Sequence, residues 1–417
     1  MQVVLLAAGE SSRFWPLNLR HKSLIKILGK PIIAHTIDSL GKNGIKDIII
    51  VQNEKKDVEN CLKQYKFDAN IRYVIQPEPK GMGNALMCAK DLINGNFFVL
   101  NSDKIDAVSY TALMIKKHEE TGAELVFLGT KTQEPWLYGI LKFKDKKIVG
   151  LVEKPKKGEE PSNIKVTGLY LLSKRFFEYY ERVEEHQYAF EDALDLFIKE
   201  NSAELVMTDE EMLSLKFPWN LFEVNKYLID RMLTPKIETT AQISKNVIIE
   251  GKVYIGHNTK VFEGAVIKGP CYIGSNCIIG NNALIREYTN IEDGCVIGTN
   301  CEVARSIIQE STHTHSGFVG DCIIGKNCRI GAGFISANVR LDRGDVKCVV
   351  KGEKVWTGLK RLGTVIGDDT RIGVGVKIMP GVFIGNNSII GPGSVIFENV
   401  EDNRKVYTEF KRIEISK

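Results

Sequence analysis

Two different patterns of hydrophobic and polar positions divide the 417-residue chain. Up to about residue 233, short apolar runs rich in β-branched residues, such as VVLLAAG, DIIIVQN, FFVLNSD and ELVFLGT, alternate with longer stretches of helical pattern. Strand and helix in alternation predict a mostly parallel sheet that helices cover on both faces. Ligands of such sheets bind beyond the carboxyl ends of the strands.

The second pattern is a six-residue period. An aliphatic residue occupies every sixth position from Ile243 to Val303, and the period resumes at Ile324 and again at Ile366. Small residues, Gly and Asn lie between these positions, as in IGHN, IGSN and IGNN. This pattern predicts a parallel β-helix whose interior is aliphatic and whose corners use Gly and Asn. Residues three hexads apart should stack, which would place Cys277 beneath Cys295.

Two segments break the period, at about 309–323 and 336–364. We expect both to be loops that leave a rigid rod, where binding and catalysis concentrate. The first contains THTHSGFVGD, with His313 and His315. The patterns together predict an α/β domain over 1–233, a β-helix over 234–405 and a C-terminal tail over 406–417. Two domains also suit a chain too long for one hydrophobic core.

Composition narrows the class of protein. The net charge is +4, with acids and bases mixed along the chain, which suits small anionic ligands and argues against nucleic acid as a partner. No apolar run approaches the roughly 18 residues of a membrane span, and MQVVLLAAG is interpreted as a first strand rather than a signal peptide. We therefore expect a cytoplasmic protein with no membrane partner.

The nine cysteines are interpreted as part of the repeat. Most of those in the second half follow the six-residue spacing, and the C-x-x-C pattern of zinc sites is absent. Cysteine at such positions acts as a small buried hydrophobic residue.

A candidate phosphate site follows the first predicted strand, in LAAGESSRFWPLN. Gly9 would let backbone amides approach a phosphate, and Arg13 and Lys22 would neutralise its charge. The P-loop pattern is absent. On the turn alone, the two cations could equally be solvated loop charges.

Five motifs in this half resemble, in order, those of sugar-1-phosphate nucleotidylyltransferases. They are LAAGESSRFWPLN with the following lysine, IQPEPKGMGNAL, VLNSD, YGILKF with VEKPKKGEEPSNIKVTGLYLL, and PWNLFEVNKYL. The resemblance implies a Rossmann-like domain in which a sugar-1-phosphate oxygen attacks the α-phosphorus of a nucleoside triphosphate, UTP or dTTP, and pyrophosphate leaves. Such a reaction needs positioning and charge neutralisation more than a covalent nucleophile.

The resemblance also implies roles for individual residues. Arg13 and Lys22 would hold the triphosphate, Asp103 would bind Mg²⁺, and Lys154 would hold the attacking phosphate. The implied nucleotide-binding residues are Leu6, Ala7, Ala8, Gly9, Gln76 and Gly81, and the implied sugar-phosphate residues are Gly139, Glu153, Lys154 and Gly168.

Three departures from the family pattern stand in this half. His21 precedes Lys22 where proline is usual, and NSD replaces the usual Gly-Asp before the metal. Ser214 aligns with the second metal aspartate, and a hydroxyl is a poor ligand for Mg²⁺ compared with a carboxylate. The nearby acidic residues 209–211 could replace that aspartate or could form a solvated turn.

The second half resembles the acetyltransferase domain of bifunctional enzymes that make UDP-N-acetylhexosamines, a left-handed parallel β-helix. HSGFVGD, IGAGFISANVRLD and ALIREYTNI carry this resemblance. It implies that His315 is the general base that deprotonates an amino sugar for attack on acetyl-CoA. The implied substrate-binding residues are Arg286, Phe318, Asn338 and Lys347. It also implies a homotrimer with acetyl-CoA sites between neighbouring subunits.

This half departs from its family pattern at two positions. Phe318 stands where tyrosine is usual, and Ala304 stands where a lysine is expected, with Arg305 adjacent. Without the resemblance, His315 would be interpreted as a loop residue, or with His313 as a weak metal site.

Three functions fit these observations. The first is a bifunctional enzyme that acetylates hexosamine-1-phosphate and then transfers a nucleotidyl group to it. The second is a nucleotidylyltransferase alone, specific for glucose (thymidylyl or uridylyl transfer) or mannose (guanylyl transfer), with a structural β-helix. The third is a non-catalytic regulatory subunit that binds sugar nucleotides, which Ser214 favours.

Overall fold

The computed structural model describes residues 1–409 and 413–415, which pack as two compact units. Unit 1 comprises Met1–Glu10 and Pro31–Ser214, and unit 2 comprises Ser11–Lys30 and Leu215–Lys417. The segment Ser11–Lys30 therefore packs with the β-helix, whereas the expected division of the chain lies at residue 233. The expected tail over 406–417 begins inside the last strand of the β-helix, Lys405–Val406. Its residues 410–412, 416 and 417 lie outside the described residues.

The helices and the strands are numbered in chain order. The α-helices are α1 (Ile32–Lys42), α2 (Asp57–Leu62), α3 (Met82–Cys88), α4 (Thr111–Thr121), α5 (Phe176–Tyr180), α6 (Ala189–Glu200) and α7 (Leu221–Met232). Short 3₁₀ helices lie at Ser12–Phe14, Lys22–Leu24, Lys90–Leu92, Ala107–Tyr110, Pro135–Leu137 and Pro218–Asn220. The strands before the β-helix are β1 (Gln2–Ala7), β2 (Lys26–Ile27), β3 (Lys30–Pro31), β4 (Asp47–Gln52), β5 (Asn70–Ile75), β6 (Phe97–Asn101), β7 (Leu125–Lys131), β8 (Gly139–Lys144), β9 (Lys147–Glu153), β10 (Ile164–Leu172) and β11 (Ala203–Met207).

Unit 1 is built on a sheet with the strand order β11–β7–β10–β6–β1–β4–β5. The neighbours β6, β1, β4 and β5 are parallel, whereas β10 runs antiparallel to β6 and β7. Every residue of β1 is buried, as expected of a central strand covered on both faces. The sheet confirms the predicted α/β fold, and its parallel part places the ends of β1, β5 and β6 at one edge.

The β-helix of unit 2 consists of short strands stacked in successive coils. They are β12 (Lys236–Ile237), β13 (Gln242–Ile243), β14 (Ile248–Glu250), β15 (Val253–Ile255), β16 (Lys260–Val261), β17 (Val266–Lys268), β18 (Cys271–Ile273), β19 (Ile278–Ile279), β20 (Leu284–Ile285), β21 (Asn290–Ile291), β22 (Val296–Ile297), β23 (Cys301–Ala304), β24 (Ile307–Ile308), β25 (His313–Thr314), β26 (Gly317–Gly320), β27 (Ile323–Ile324), β28 (Arg329–Ile330), β29 (Phe334–Ser336), β30 (Lys347–Val350), β31 (Glu353–Trp356), β32 (Val365–Ile366), β33 (Arg371–Ile372), β34 (Lys377–Ile378), β35 (Phe383–Ile384), β36 (Ile389–Ile390), β37 (Val395–Ile396) and β38 (Lys405–Val406).

Three parallel sheets form the faces of the β-helix. The first face is β12–β15–β18–β21–β24–β27–β32–β35, the second is β13–β16–β19–β22–β25–β28–β33–β36–β38, and the third is β14–β17–β20–β23–β26–β29–β34–β37. Ile279 pairs with Ile297 in the next coil, so the predicted stacking of residues three hexads apart is confirmed. The aliphatic residues of the period form one continuous buried core.

The first interruption of the period is not a loop, contrary to the prediction for 309–323. Strands β25 and β26 lie inside it and continue the second and third faces. The coil is shortened instead, because hydrogen-bonded partners such as Ser306 and Cys322 are 16 residues apart. The corresponding separation for Thr259 and Cys277 is 18 residues. A shortened corner and an extruded loop break the sequence period alike, so the sequence could not distinguish them.

The second interruption does leave the rod, as predicted. Within 336–364, strands β30 and β31 pair only with each other, as an antiparallel hairpin. The column of the first face continues directly from Ile324 to Ile366. The inserted residues therefore project from an unbroken β-helix.

The cysteines of the β-helix are buried, as their interpretation as small core residues requires. All nine cysteines of the chain are free thiols. Burial raises the pKa of Cys271, Cys277 and Cys328 to about 12, so these thiols are protonated and unreactive near neutral pH.

A carboxyl group is also buried in the first face. Glu292 is fully buried, and its Oε1 accepts hydrogen bonds from Asn290 Nδ2 at 2.8 Å and from the Gly29 N–H at 3.2 Å. Burial raises the pKa of Glu292 from 4.5 to about 7, with Glu310 adding to the shift and Lys26 opposing it. The folded state therefore binds a proton more tightly than the unfolded chain does. Its contribution to stability is full below about pH 4.5 and is lost as the pH rises through 7.

Glu292→Gln is expected to stabilise the protein above pH 7, because the amide cannot ionise and keeps an oxygen for the Gly29 N–H. At pH 8 the thermal midpoint should rise by a few degrees, for a gain of at most about 3 kcal/mol. Thermal melts at pH 5 and pH 8 would measure this, with the exposed Glu250→Gln as a matched control. An equal shift at both pH values would contradict the expectation.

Candidate active sites

The predicted nucleotide-binding residues follow parallel strands of unit 1. Gly9 comes after β1, Gln76 directly follows β5, and Asp103 comes two residues after β6. Because β6, β1, β4 and β5 are parallel neighbours, all three positions lie at the carboxyl edge of the sheet. A Cβ at Gly9 would meet no atom within 4 Å, so this turn is open to a ligand. Leu6, Ala7 and Ala8 are buried in and after β1 and support the turn.

Gln76 and Gly81 lie together, as the resemblance implies. Gln76 Nε2 donates to Asn84 Oδ1 at 2.8 Å and to the Gly81 carbonyl at 3.3 Å. Gly81 has a φ of +107° and immediately precedes α3, a conformation that side chains rarely adopt. A Cβ there would lie 3.0 Å from the Gln187 carbonyl oxygen. The loop therefore presents a fixed amide beside a backbone position that favours glycine by both its φ and its surroundings, which suits recognition of a flat base.

The predicted sugar-phosphate residues also converge. Gly139 pairs with Glu153 across β8 and β9, and a Cβ at Gly139 would lie 2.9 Å from Glu153 Oε2. Lys154 Nζ lies 3.7 Å from Glu153 Oε1 and donates to Tyr188 Oη at 2.9 Å. The hydrogen bond to Tyr188 raises the pKa of Lys154, so this cation stays charged. Carboxylate, ammonium and hydroxyl together form a group suited to a sugar phosphate.

A second carboxyl group, that of Glu191, interacts electrostatically with Glu153 and Lys154. Burial raises the pKa of Glu191 on α6 to about 7, and Glu153 adds to the shift. Burial likewise raises the pKa of Glu153. Sequence reasoning missed Tyr188 and Glu191, since HQYAFED carries no spacing signal.

Gly168 lies at an irregularity of β10, between Val166 and Tyr170, with a φ of +85°. A Cβ on Gly168 would lie 3.8 Å from Lys104 Cε. Lys104 Nζ donates to the Leu213 carbonyl at 2.5 Å. The positive φ therefore favours glycine at this position, and Lys104, which directly follows the predicted metal ligand Asp103, lies beside it. Sequence reasoning also missed this lysine.

The segment that ends at Ser214 is held by another carboxylate. Asp106 is buried, and its Oδ2 accepts the Leu213 N–H at 2.5 Å. The three acidic residues 209–211 are exposed, and Glu211 pairs with Lys165 at 3.3 Å. Asp106 is thus the buried carboxylate that contacts the Leu213–Ser214 segment, and the sequence pattern gave no indication of it.

Asp103 fits a magnesium ion that is held largely by substrate. It is buried to 3% exposure at the carboxyl edge of the sheet. Within residues 1–409 and 413–415, no three His, Cys, Asp or Glu side chains gather as a metal site. Mg²⁺ is commonly bound by one or two carboxylates together with substrate phosphates and waters, so one buried aspartate is compatible with it.

Arg13 and Lys22 belong to unit 2. The Arg13 guanidinium lies 6.0 Å from the centroid of the Phe217 ring. Lys22 Nζ donates to the Leu215 carbonyl at 2.7 Å. Both predicted phosphate ligands are therefore held by residues of the unit that contains the β-helix.

His315 lies at the exposed corner between the second and third faces, after β25 and before β26. On the second face it borders a cavity of about 550 Å³. The polar side chains of this cavity include His313, His315, Arg329, Arg371 and Tyr407, and its apolar part includes Ile330, Ile372, Ile390 and Pro392. An imidazole at the rim of a mostly apolar cavity can exchange protons with a bound molecule.

Two arginines lie side by side in this cavity. Arg329 and Arg371 are register partners on β28 and β33, and each donates to backbone carbonyls, Arg329 to Ser311 at 2.7 Å and Arg371 to Asn327 at 2.5 Å. Neither forms an ion pair with a described carboxylate. Burial, and to a lesser extent Arg329, lowers the pKa of the adjacent His313. Adjacent guanidinium groups without carboxylate partners favour an anionic ligand.

The predicted sugar-binding residues Arg286, Phe318 and Asn338 belong to, or directly follow, strands of the third face. Asn338 Nδ2 donates to Asp321 Oδ2 at 2.5 Å. The same carboxylate forms a two-pronged pair with Arg305, at 2.7 and 3.0 Å. Arg286 lies 3.2 Å from Glu302 and is partly exposed, so a phosphate could replace this surface partner. Arg305 is held by Asp321 and does not replace the lysine expected at residue 304.

Lys347 lies apart from this group, on β30 of the projecting hairpin. Its Nζ lies 3.8 Å above the exposed Trp356 ring. Sequence reasoning missed Arg329 and Arg371, because the inserted hairpin hides their equivalent positions in the repeat.

No helix in the part of the chain described here is long and apolar enough to span a membrane.

Three family profiles match the chain. They are nucleotidyl transferase over residues 2–220, GMPPB C-terminal domain over 267–362, and bacterial transferase hexapeptide (six repeats) over 363–398. A solved UDP-glucose pyrophosphorylase from Acinetobacter baumannii is similar over 55% of this chain and 94% of its own, with 22% identity and a TM-score of 0.48.

Full-length relatives are more similar. The bifunctional protein GlmU of Methanococcus maripaludis strain C7 is 36% identical over 413 residues, which cover 98% of this chain and 97% of the relative. A bifunctional sugar-1-phosphate nucleotidylyltransferase/acetyltransferase of Sulfurisphaera tokodaii is 33% identical over 428 residues, with 99% and 100% coverage. The chain therefore belongs to the family of bifunctional sugar-1-phosphate nucleotidylyltransferase/acetyltransferases.

Proposed function

We propose that this chain acetylates a hexosamine-1-phosphate with acetyl-CoA and then joins the product to a nucleotide, releasing pyrophosphate. Membership of the family supports both transfers. The observation that carries the proposal is the position of His315, at the rim of the cavity on the second face and at the corner before the third. A general base at this corner can serve a donor on one face and an acceptor on the other.

In acetyl transfer, His315 takes a proton from the ammonium group of the amino sugar. The neutral amine then attacks the thioester carbonyl, the carbon–sulfur bond breaks, and CoA leaves as the thiol after protonation. Arg286 binds the sugar phosphate, and Asn338 and Phe318 contact the sugar. A phenyl ring cannot donate the hydrogen bond that tyrosine would, so it restricts the acceptor by shape.

Acetyl-CoA occupies the cavity on the second face, with a phosphate on Arg329 and Arg371. Arg371→Ala is expected to raise the KM for acetyl-CoA about tenfold with little change in kcat, because a charge-assisted hydrogen bond remote from the reacting atoms is lost. Steady-state kinetics with acetyl-CoA and 3′-dephospho-acetyl-CoA would measure this and identify the phosphate.

The matched control for this prediction is Arg404→Ala, an exposed arginine outside the cavity. An unchanged KM in Arg371→Ala, or the same change in both variants, would place acetyl-CoA elsewhere.

In nucleotidyl transfer, Arg13 and Lys22 bind the triphosphate, and Gln76 and Gly81 bind the base, of UTP or dTTP. Lys154, Glu153, Gly139 and Gly168 hold the sugar phosphate in position for in-line attack. Asp103 would hold Mg²⁺, which supplies charge neutralisation for the phosphates. The protein residues thus contribute mainly orientation and positive charge.

We further propose a cytoplasmic homotrimer. The resemblance of the β-helix to trimeric acetyltransferase domains supports this proposal, since closed symmetric assemblies are the commonest oligomers. Light scattering of the purified protein should give three times the chain mass.

The test of the proposed function is a pair of assays on the full chain. Acetyl-CoA with glucosamine- or galactosamine-1-phosphate should release thiol, and UTP or dTTP with the acetylated product should release pyrophosphate. Thiol release without pyrophosphate release would restrict the function to acetyl transfer, and the converse would make the β-helix a scaffold.

A further inference from the structure

The segment Ser11–Lys30 is held on the β-helix by buried polar side chains. The Lys26 N–H donates to Gln309 Oε1 at 3.1 Å, and Gln309 Nε2 donates back to the Lys26 carbonyl at 2.9 Å. The Leu28 N–H donates to Asn290 Oδ1 at 2.9 Å, and the Gly29 N–H to Glu292 Oε1 at 3.2 Å. Gln309, Asn290 and Glu292 all have 0% exposure. Burying polar side chains is costly unless they are hydrogen-bonded, so these contacts fix the segment specifically.

Ion pairs attach the rest of the segment. Arg20 Nη1 lies 2.6 Å from Asp368 Oδ2, with both side chains largely buried. Lys26 Nζ lies 2.8 Å from Glu310 Oε1, and Glu310 is also 3.2 Å from Lys326. Of the three guanidinium nitrogens of Arg20, only Nη1 contacts Asp368. Its Nε and Nη2 are buried without a hydrogen-bond partner in the described structure.

Aromatic contacts connect the β-helix to Arg13. Trp15 Nε1 donates to Asp402 Oδ1 at 3.1 Å, and its ring lies 6.2 Å from that of Phe383 on β35. Phe383 also contacts Trp219, which stacks on Phe217 at 4.5 Å. Phe217 is the ring that lies near the Arg13 guanidinium. The first face of the β-helix thus sets the surroundings of Arg13 through a short chain of side chains.

We propose that Asp368 and Glu310 of the β-helix are positioning residues for nucleotidyl transfer. They hold the segment that carries Arg13 and Lys22, so a domain that performs one transfer also shapes the phosphate ligands of the other. The inference rests on the proposed roles of Arg13 and Lys22. It adds a requirement for nucleotidyl transfer: the reaction needs an intact first face of the β-helix in addition to the α/β half.

The test uses charge-removing variants of the full chain. Asp368→Asn and Arg20→Met should each lower kcat/KM for the nucleoside triphosphate about tenfold or more, because a buried charge pair is lost. Acetyl transfer should stay within about twofold of wild type. Arg20→Lys should keep most of the activity, since a single nitrogen makes the contact. Hydrogen exchange of the amides in 11–30 should become faster in Asp368→Asn and Arg20→Met alone.

The matched control is Asp369→Asn. Asp369 is exposed, has a φ of +59° that asparagine adopts readily, and accepts from Asn327 rather than from the segment. Both activities should be unchanged. The proposal is overturned if Asp368→Asn and Arg20→Met keep wild-type kcat/KM, or if acetyl transfer falls in parallel, which would indicate general destabilisation.

Arg13→Ala separates this inference from the proposed function. If Arg13→Ala keeps full nucleotidyl transfer, the proposed role of Arg13 is wrong and the inference falls with it. If Arg13→Ala loses activity while Asp368→Asn does not, the role of Arg13 stands and the positioning role of the β-helix alone is wrong.

Discussion

His315→Ala is expected to lower kcat for acetyl transfer by about 10²–10⁴, the usual contribution of a general base. The amino sugar enters largely as an ammonium ion, and His315 is the residue proposed to take its proton. The alanine variant lacks that base. Nucleotidyl transfer to a sugar that is already acetylated should be unchanged, because His315 lies at a corner of the β-helix and has no proposed role in that reaction. Thiol release and pyrophosphate release, measured on the same preparation, would give both values.

The control for this variant is His257→Ala, which removes another exposed histidine from the β-helix, one that lies 3.6 Å from Glu238. It should keep both activities. Full acetyl transfer in His315→Ala would return His315 to the status of a corner residue, and a loss shared with His257→Ala would indicate a general effect on the rod. Rescue by added imidazole would support the loss of a base specifically.

The sequence predicted the β-helix in detail because its six-residue period corresponds to the spacing of the strands in the structure. Most inward positions hold an aliphatic side chain and many corners hold a residue with positive φ, so Ile279 and Ile297 could be paired from spacing alone. The same counting was wrong for 309–323, where the corners are shortened. The spacing shows where the period is broken, but it does not show whether the chain leaves the β-helix there as a loop.

Only some residues of the candidate sites could be predicted from the sequence. Positions that follow strands, such as Asp103, are implied by the order of motifs, since parallel strands bring their carboxyl ends together. Contacts that join distant segments left no pattern in the sequence, and so Asp106, Tyr188 and the neighbouring arginines of the cavity were missed. The attachment of Arg20 to Asp368 is of the same kind, because the two residues are 348 positions apart.

Asp103→Asn is expected to lower nucleotidyl transfer by at least about 10²-fold, the usual effect of losing one preorganised electrostatic contact at a reacting group. Asparagine keeps the size of the side chain but not the charge with which Asp103 would hold Mg²⁺, so the fall should exceed any effect on folding. Ser214 adds weight to this expectation, because the second carboxylate of the family pattern is missing and Asp103 would then hold the larger share of the metal's charge. Acetyl transfer, which takes place on the β-helix, should be retained. Pyrophosphate release at increasing Mg²⁺ would measure the effect.

Asp145→Asn is the matched control, since it removes one negative charge from an exposed turn of unit 1 with a φ of +48° that asparagine also adopts. It should leave both activities unchanged. If Asp103→Asn keeps nucleotidyl transfer and its dependence on Mg²⁺, another residue must hold the metal. Asp106, the buried carboxylate beside the Leu213–Ser214 segment, would then be the next residue to substitute. If instead wild type itself shows acetyl transfer but no pyrophosphate release, Ser214 has the consequence that the family pattern suggests. The α/β half would then bind sugar nucleotides without making them.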